Sequence, residues 1–391
     1  MRVLYFSDGG PGLSVFESQV TGMVRAWRTE CETDVIYRQK GPGDSSIDGR
    51  AIRQVGSVSR LTLYMEIVRN NLPALLDTYD LIHCRGALTA WMAIKSLSPD
   101  QRKKCKVLFD CRGLLVEEMG RPSRIVSMHP LELIRSHEFG AVEKFAAVNS
   151  DLFTTVSSEM SDYLRVKHGR GADRVIPCII DDEAFRFSAG KRAEIRRRLG
   201  LNGERVFLYA GGTDAWQRLD ILGQWWAHHC IENPTDVLLI LTGKKEEFLA
   251  KLKLASDGRY GRMIFDYVPY SEVPGYMFAS DIGVMFRDAS AVSRVSSPVK
   301  LSEYLAAGMT VLTNQEYFAA RDPENILLIN PQNGLPAGVK AKSIEERHRE
   351  SIKNSRIYGG RSAVENILDL LQSTDDIARF QGIPGERRGA V

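Results

Sequence analysis

The sequence predicts an α/β protein made of two doubly wound parallel sheets, and three observations carry that prediction. Short β-rich apolar runs alternate with longer stretches whose apolar residues recur at helical spacing, from one end of the chain to the other. The alternation pauses once, at a polar and then strongly basic segment around 181–199 that holds Lys191, Arg192, Arg196, Arg197 and Arg198, and it restarts behind it. A chain of 391 residues, at roughly 150 residues per domain, has room for more than one such core.

In the first half the strands are expected at 3–6, 34–37, 81–84, 106–109, 152–155 and 175–178, with helices at 15–28, 61–77, 88–95, 131–147 and 158–168. In the second half strands at 206–210, 237–241, 263–267, 282–286, 310–313 and 326–329 alternate with helices at 215–231, 246–254, 271–278, 298–307 and 341–373. Two Rossmann-like domains follow, 1–185 and 186–372, facing each other across a cleft, with 373–391 as a tail that is flexible or packs back on the first domain. Ligands of such sheets bind beyond the carboxyl ends of the strands.

Composition removes several function classes. Lys+Arg 52 against Asp+Glu 49, interleaved along the chain, excludes a dedicated nucleic-acid binder. No apolar run approaches the ~18 residues of a membrane span, and no signal-peptide core follows Met1, so a cytoplasmic protein is expected. Six dispersed cysteines without a CxxC pair argue against a disulfide framework or structural zinc. His228 and His229 are adjacent on a helix and diverge by about 100°, so no metal is assigned.

The most informative segment is Ser296-Ser297-Pro298-Val299-Lys300-Leu301-Ser302-Glu303-Tyr304-Leu305-Ala306-Ala307-Gly308, followed by the strand Thr310–Thr313. Ser297 suits an N-cap, Pro298 the first helical position and Gly308 the C-terminal cap. Lys300 then stands where a capping box would place Glu or Gln, against the helix dipole, a conflict that a bound anion removes. The N–H groups of this helix end and the Lys300 ammonium would cradle a diphosphate, and Glu303, on the same face, would accept hydrogen bonds from a ribose diol. The plainer alternative is a surface helix whose Lys300 and Glu303 form a weak exposed pair.

This stretch resembles the C-terminal signature of glycosyltransferase family 4, retaining enzymes of the GT-B fold that use nucleotide-sugar donors. Other segments are similar in order and spacing. They are Phe207-Leu208-Tyr209-Ala210-Gly211-Gly212 (first strand and glycine turn of the donor domain), Phe265-Asp266-Tyr267-Val268-Pro269 (the loop that cups the base) and Ala279-Ser280-Asp281-Ile282-Gly283. In the first half they are Ser7-Asp8-Gly9-Gly10-Pro11-Gly12 and Phe153-Thr154-Thr155-Val156-Ser157. The resemblance is strong in the second half and diffuse in the first. It implies transfer of a sugar from a nucleoside-diphosphate sugar to a hydroxyl acceptor, sugar or lipid-linked sugar, without a metal or other cofactor. Gly211, Gly212, Tyr267, Val268, Ser297, Pro298, Val299 and Glu303 would hold the nucleotide. Bacterial surface polysaccharide or glycolipid synthesis is the implied setting, at the inner face of the cell membrane where the acceptor is lipid-linked. The amphipathic, basic segment 60–69 is a candidate for that membrane contact, with core packing as the favoured use of its apolar residues.

Two departures from the family pattern stand out. Its usual pair of glutamates is broken, because Val295 occupies the first position, so Arg287 and Arg294 are candidates for the donor sugar. The lysine that usually follows the glycine turn is absent, and Arg218 is its candidate replacement, able to pair two phosphate oxygens at once. Asp110 and Arg112 end an apolar strand. Asp110 is the candidate for orienting the acceptor or taking its proton, and Arg112, Gly10 and Gly12 for contacts to the acceptor or the donor sugar. Arg85 ends the preceding strand and can line the same region, whereas His83, His137, Glu138 and Glu143 read as structural or surface positions. Two other functions fit the same fold: a catalytically idle nucleotide-sugar-binding subunit that supports a partner transferase, or a sugar-nucleotide epimerase.

Overall fold

Among the described residues most buried apolar runs are followed by a helix that must return over the sheet it left, and this sets the strands parallel. The structure, a computed structural model, describes residues 1–10, 15–39, 48–54, 59–119, 130–252, 261–330, 339 and 341–380. It divides into two units, one of residues 1–179 together with the chain from Gly360 onward, the other of residues 180–359.

The first unit is a seven-stranded sheet: β1 (Arg2–Ser7), β2 (Glu32–Gln39), β3 (Arg50–Arg53), β4 (Leu81–Arg85), β5 (Lys106–Cys111), β6 (Leu152–Thr155) and β7 (Arg174–Val175), in the spatial order 3-2-1-4-5-6-7. All pairs are parallel. The chain order reverses between β1 and β4, so that is the switch point where strand-end loops diverge and leave a crevice. Val3 and Tyr5 of β1 pack with Met23, Val24 and Trp27 of the helix Gly22–Glu30 and with Ala363, Val364, Ile367 and Leu370 of the helix Gly360–Phe380.

The second unit is a six-stranded sheet: β8 (Val206–Ala210), β9 (Val237–Leu241), β10 (Arg262–Asp266), β11 (Ile282–Met285), β12 (Thr310–Thr313) and β13 (Ile326–Leu328). Its order is 10-9-8-11-12-13, with the switch point between β8 and β11. Every strand of the pair β8 and β9 is buried along its whole length, as expected where helices cover both faces.

The differences from expectation have local causes. Strand β3 escapes a hydrophobicity reading because it is a short edge strand, RAIR, with only Ile52 buried. The helix expected over 61–77 breaks at Asn71 and that over 215–231 at Arg218, both with positive φ (51° and 46°). The expected long helix 341–373 is two helices, Ile344–Tyr358 and Gly360–Phe380, and the second packs on the first unit's core. The change of unit falls at 179/180, not 185/186, and the residues from Gly360 onward go with the first unit rather than the second. Among the described residues no helix is long and apolar enough to cross a membrane.

Two buried side chains fix the helix Val299–Ala306 in the second unit. The ring of Tyr304 lies over Gly283 of β11, where a Cβ would come within 2.5 Å of it, and the phenol oxygen accepts the Ala210 N–H at 3.0 Å. Arg347, 1% exposed, donates to the carbonyls of Met277, Phe278, Ser280 and Ala307 at 2.6–3.0 Å, satisfying orphan acceptors at the ends of two helices. Gly283→Ala is expected to lower unfolding stability by about 2 kcal/mol through overpacking against Tyr304. A urea titration reads this, and an unchanged midpoint would refute the close packing.

Candidate functional site

The loops leaving β8 and β11 lie side by side at the switch point of the second unit. After β8, the Gly211 N–H donates to the Leu241 carbonyl at 3.2 Å, and the Tyr209 hydroxyl closes the turn onto the Gly212 carbonyl at 2.6 Å. A Cβ on Gly211 would press on that hydroxyl at 3.2 Å. After β11, Arg287 has its backbone clamped to Asn314 through two hydrogen bonds of 2.9 Å, and its carbonyl also accepts from Gln315 at 2.7 Å. The Asp288 N–H donates to the Trp216 carbonyl at 3.2 Å, joining the two loops. Burial pushes the phenols of Tyr209 and Tyr304 up, and the Arg287 charge acts against this at both.

The helix Val299–Ala306 begins one residue later than its sequence suggests. Pro298 is the N-cap, with no side-chain cap, and Ser297 stands before it. The Val299 and Lys300 N–H groups therefore belong to the unsatisfied first turn, and Lys300 is the second helical residue instead of the third. The far end is a Schellman closure: Gly308, at φ 71°, donates to Leu305 at 2.9 Å and Met309 donates to Tyr304 at 3.0 Å.

The Lys300 ammonium donates to one oxygen of Glu303 and lies 5.7 Å from the centre of the Tyr270 ring, while the Tyr270 hydroxyl donates to the other oxygen at 2.9 Å. Glu303 is fully buried and Lys300 is 28% exposed at its side chain, so the pair is not a solvated surface contact.

Arg218 closes on both oxygens of Asp220 at 2.9 and 2.8 Å, inside its own turn, and this pairing raises its pKa and lowers that of Asp220. Its charge is matched by Asp220 in this structure, and Arg287 stands at the same switch point, the two lying in the loops after β8 and β11. Tyr267 follows the edge strand β10, two strands from β8, with 78% of its surface exposed and its ring against Gly243. Val268 packs half-buried against the core. Arg294 is exposed on the short helix Ala291–Val295, and Val295, in the place of the missing glutamate, is buried.

In the first unit, Asp110 sits in a closed network. The Trp27 indole N–H donates to Nδ1 of His83 at 3.0 Å, which leaves the proton on Nε2, facing Asp110 at 3.1 Å. Arg112 donates to the same carboxylate at 2.6 Å and Thr154 at 3.1 Å, and Arg112 also holds the carbonyls of Ile176 and Pro177. Burial works against the charge of Asp110, but Arg112 and His83 outweigh it and hold the carboxyl far below the ordinary range. Burial also lowers His83, keeping it neutral. A carboxylate 1% exposed, saturated with donors and weakly basic, is a poor proton acceptor. Asp110 and Arg112 hold strand ends together in this structure. Gly10 lies beside β2, where a Cβ would touch Arg38 and Gln39 at 3.4 Å, and Gly12 falls outside the described residues. Glu143 is a buried acceptor for Leu115 N–H, Lys167 and His168. His229 pairs with Asp236 at 2.8 Å, and among the described residues no three metal-ligating side chains gather.

The sequence reading missed one group, the triad Asp8–Arg38–Glu66, of which Arg38 and Glu66 are buried. Arg38 grips Glu66 at 2.8 and 3.0 Å and also binds Asp8. Its three members are 28–30 residues apart in the chain on separate elements, and only the sheet order brings them together.

No protein-family model matches the chain, and no curated protein matches it. Solved structures do. A sucrose-phosphate synthase from Thermosynechococcus elongatus is 18% identical, with 96% of this chain and 100% of that one covered at a TM-score of 0.66. HepE from Anabaena, solved in complex with UDP-glucose, is 13% identical over 95% of this chain and 100% of that one, at 0.66. A UDP-forming α,α-trehalose-phosphate synthase from Burkholderia vietnamiensis is 14% identical over 95% and 100%, at 0.61. At such identities the likeness shows the fold, the two Rossmann-like sheets of GT-B glycosyltransferases.

The Asp110 network makes a prediction of its own. Asp110→Asn is expected to destabilise the protein by about 3–5 kcal/mol, because it leaves Arg112 buried and unpaired. Since the pKa of Asp110 is depressed in the fold, its contribution stands above about pH 3.9, where an unfolded aspartate titrates, and fades as pH falls through the lower folded value. Chemical denaturation of the wild type and the variant from pH 7 down through the acid range below pH 3 checks both, and a fully stable variant would contradict the assignment.

Proposed function

We propose that the chain is a retaining glycosyltransferase of family 4 that moves a hexosyl or related group from a nucleoside-diphosphate sugar to a hydroxyl acceptor, without a metal. The observation that carries this is the uncapped start of the helix Val299–Ala306, with Lys300 in its first turn, bound through Tyr304 to the strand that ends in the glycine turn Gly211-Gly212. The resemblance of that segment to the family signature and the likeness of the fold to nucleotide-sugar enzymes support the same reading.

In this reading the departing diphosphate meets the N–H groups of Val299 and Lys300, the helix dipole, the Lys300 ammonium and the Arg287 guanidinium. The negative charge that develops as the glycosidic bond breaks is stabilised by dipoles and cations already in place. Glu303 receives the ribose diol in exchange for the Lys300 ammonium, which turns to the phosphates. That exchange couples nucleotide binding to delivery of a cation, and it gives the buried Lys300–Glu303–Tyr270 contact a purpose beyond packing.

A cytoplasmic enzyme working on a lipid-linked acceptor at the inner face of the membrane, in bacterial surface polysaccharide or glycolipid synthesis, fits a feature of the first unit. On the helix Arg60–Arg69, Leu63 and Ile67 are buried, while Leu61 (71% exposed), Tyr64, Met65 and Val68 (78%) form an outward stripe at helical spacing between two arginines. Core packing, favoured from the sequence for all these apolar residues, holds for Leu63 and Ile67 and in part for Tyr64, whose ring meets Trp91 edge-on at 4.8 Å.

Calorimetric titration with UDP, GDP, ADP and CMP, with and without Mg²⁺, tests the donor site. UDP is the first probe because HepE has been solved with it. Binding of one nucleotide that persists in EDTA and weakens at least tenfold in Lys300→Ala and Glu303→Ala is expected, about 1.4 kcal/mol or more. Absence of binding to all four, or equal binding by both variants, would overturn the proposal.

A further inference from the structure

We propose that Tyr270 makes the donor site selective for ribonucleotides over their 2′-deoxy forms. Its hydroxyl holds one oxygen of Glu303, so that the other alone passes from the Lys300 ammonium to the sugar hydroxyls of the nucleotide. This rests on the donor reading given above and names the positioning residue of that same site.

Tyr270 opens a single tight turn, Tyr270–Glu272, in the loop that leaves β10, whereas Glu303 lies on the helix Val299–Ala306 that follows β11. The turn is closed by the Glu272 N–H, which donates to the Pro269 carbonyl at 2.9 Å. The Tyr270 ring packs half-buried against the core of the second unit, with its centre 6.3 Å from that of the buried Phe185. A ring seated by packing on a closed turn delivers its hydroxyl to one place, and that place is Oε1 of Glu303, at 2.9 Å. The same loop carries Tyr267 and Val268, so Tyr270 also ties it to the helix.

The two partners of Glu303 differ in what they can do. Glu303 is fully buried, and a carboxylate so placed needs donors on both oxygens. Tyr270 serves Oε1 and the Lys300 ammonium serves Oε2. The ammonium sits on a flexible stem, 28% exposed, 5.7 Å from the centre of the Tyr270 ring, and can swing to an anion at the helix start. The phenol is fixed by its ring and stays. When the ammonium leaves, Oε1 is still satisfied and only Oε2 is offered to a ligand. Without the phenol the ammonium would be the sole partner of a buried charge, and taking it away would break a buried pair outright, which is strongly unfavourable. Lys300 would then remain on Glu303, and the nucleotide would gain neither group.

The chemistry of Oε2 selects the ligand. An ionised carboxylate only accepts, and neighbouring hydroxyls can fill the place of an ammonium that brings several N–H donors. The 2′ and 3′ hydroxyls of a ribose are such a pair. A 2′-deoxy sugar brings one donor fewer and leaves a buried charge short of a partner, so the exchange does not proceed. Sites built to hydrogen-bond a ligand hydroxyl reject the analogue that lacks it for this reason.

Calorimetric titration of the full-length protein with UDP, GDP and ADP and with their 2′-deoxy forms, for wild type and Tyr270→Phe, tests this. The substitution keeps the ring and its packing and removes only the hydroxyl. Wild type is expected to bind the ribose form of its preferred diphosphate at least tenfold more tightly than the 2′-deoxy form. In Tyr270→Phe that ratio is expected to fall to threefold or less, through loss of affinity for the ribose form, while affinity for the 2′-deoxy form changes less than twofold. A hydroxyl that merely stiffened the loop would weaken both forms alike. Equal weakening, or a ratio in the variant within twofold of the wild type's, therefore overturns the role of Tyr270 and leaves the donor site standing. A wild type that binds none of the diphosphates, or binds both forms equally, overturns the donor reading itself, and this inference with it.

Discussion

The contact between Tyr304 and the end of β8 is the constraint on which the second unit's site depends. A helix can present its N-terminal N–H groups to a ligand only if its axis is held in register with the strand ends that supply the rest of the site. Tyr304 does this with one ring, lying on Gly283 of β11 and taking the Ala210 N–H just before the glycine turn. A side chain on Gly283 would push the ring out and move the helix away from both strands. Arg347 does the complementary work at the opposite end, where its guanidinium collects the carbonyls that close the helices Val273–Ala279 and Val299–Ala306. One end is thereby saturated by the protein, and the other has no side-chain cap.

The same division between saturated and unsaturated groups separates two aspartates of the first unit. Asp110 lies near the end of β5 and Asp8 directly follows β1, but only Asp110 was singled out by sequence. Asp110 is enclosed by His83, Arg112 and Thr154, a network that converts a costly buried charge into a fixed one. Asp8 is gripped from one side only. The buried pair of Arg38 and Glu66 anchors one oxygen of Asp8 and leaves the other without a hydrogen bond among the described residues.

Chain connectivity adds a further coupling. The helix Gly360–Phe380 follows the second unit in sequence yet completes the core of the first, so the polypeptide enters the second unit at Ile180 and leaves it at Gly359. Those two residues are bridged in parallel, and the Ile180 N–H donates to the Tyr358 carbonyl at 2.8 Å, so entry and exit are tied at one place. Gly359 has no room for a side chain between Asp182 and Ser355.

Periodicity by itself determined the α/β class, the presence of two sheets and most strands, because a strand buried on both faces must be a continuous apolar run whatever it pairs with. The runs at 206–210, 237–241 and 310–313 coincide with observed strands for that reason. The helix at Pro298 was legible through its proline, its glycine and its lysine against the dipole, since these are local preferences. Strand order, the exhausted state of Asp110, the pairing of Arg218 with Asp220, the Asp8–Arg38–Glu66 triad and the return of the last helix were not. Each depends on which groups meet across the sheet or at a backbone turn such as Arg218's, and a hydrogen-bond partner distant in the chain leaves no mark in local sequence. Only the tertiary structure decided which polar groups are already satisfied, and that is what distinguishes a residue that holds the fold from one that can hold a ligand.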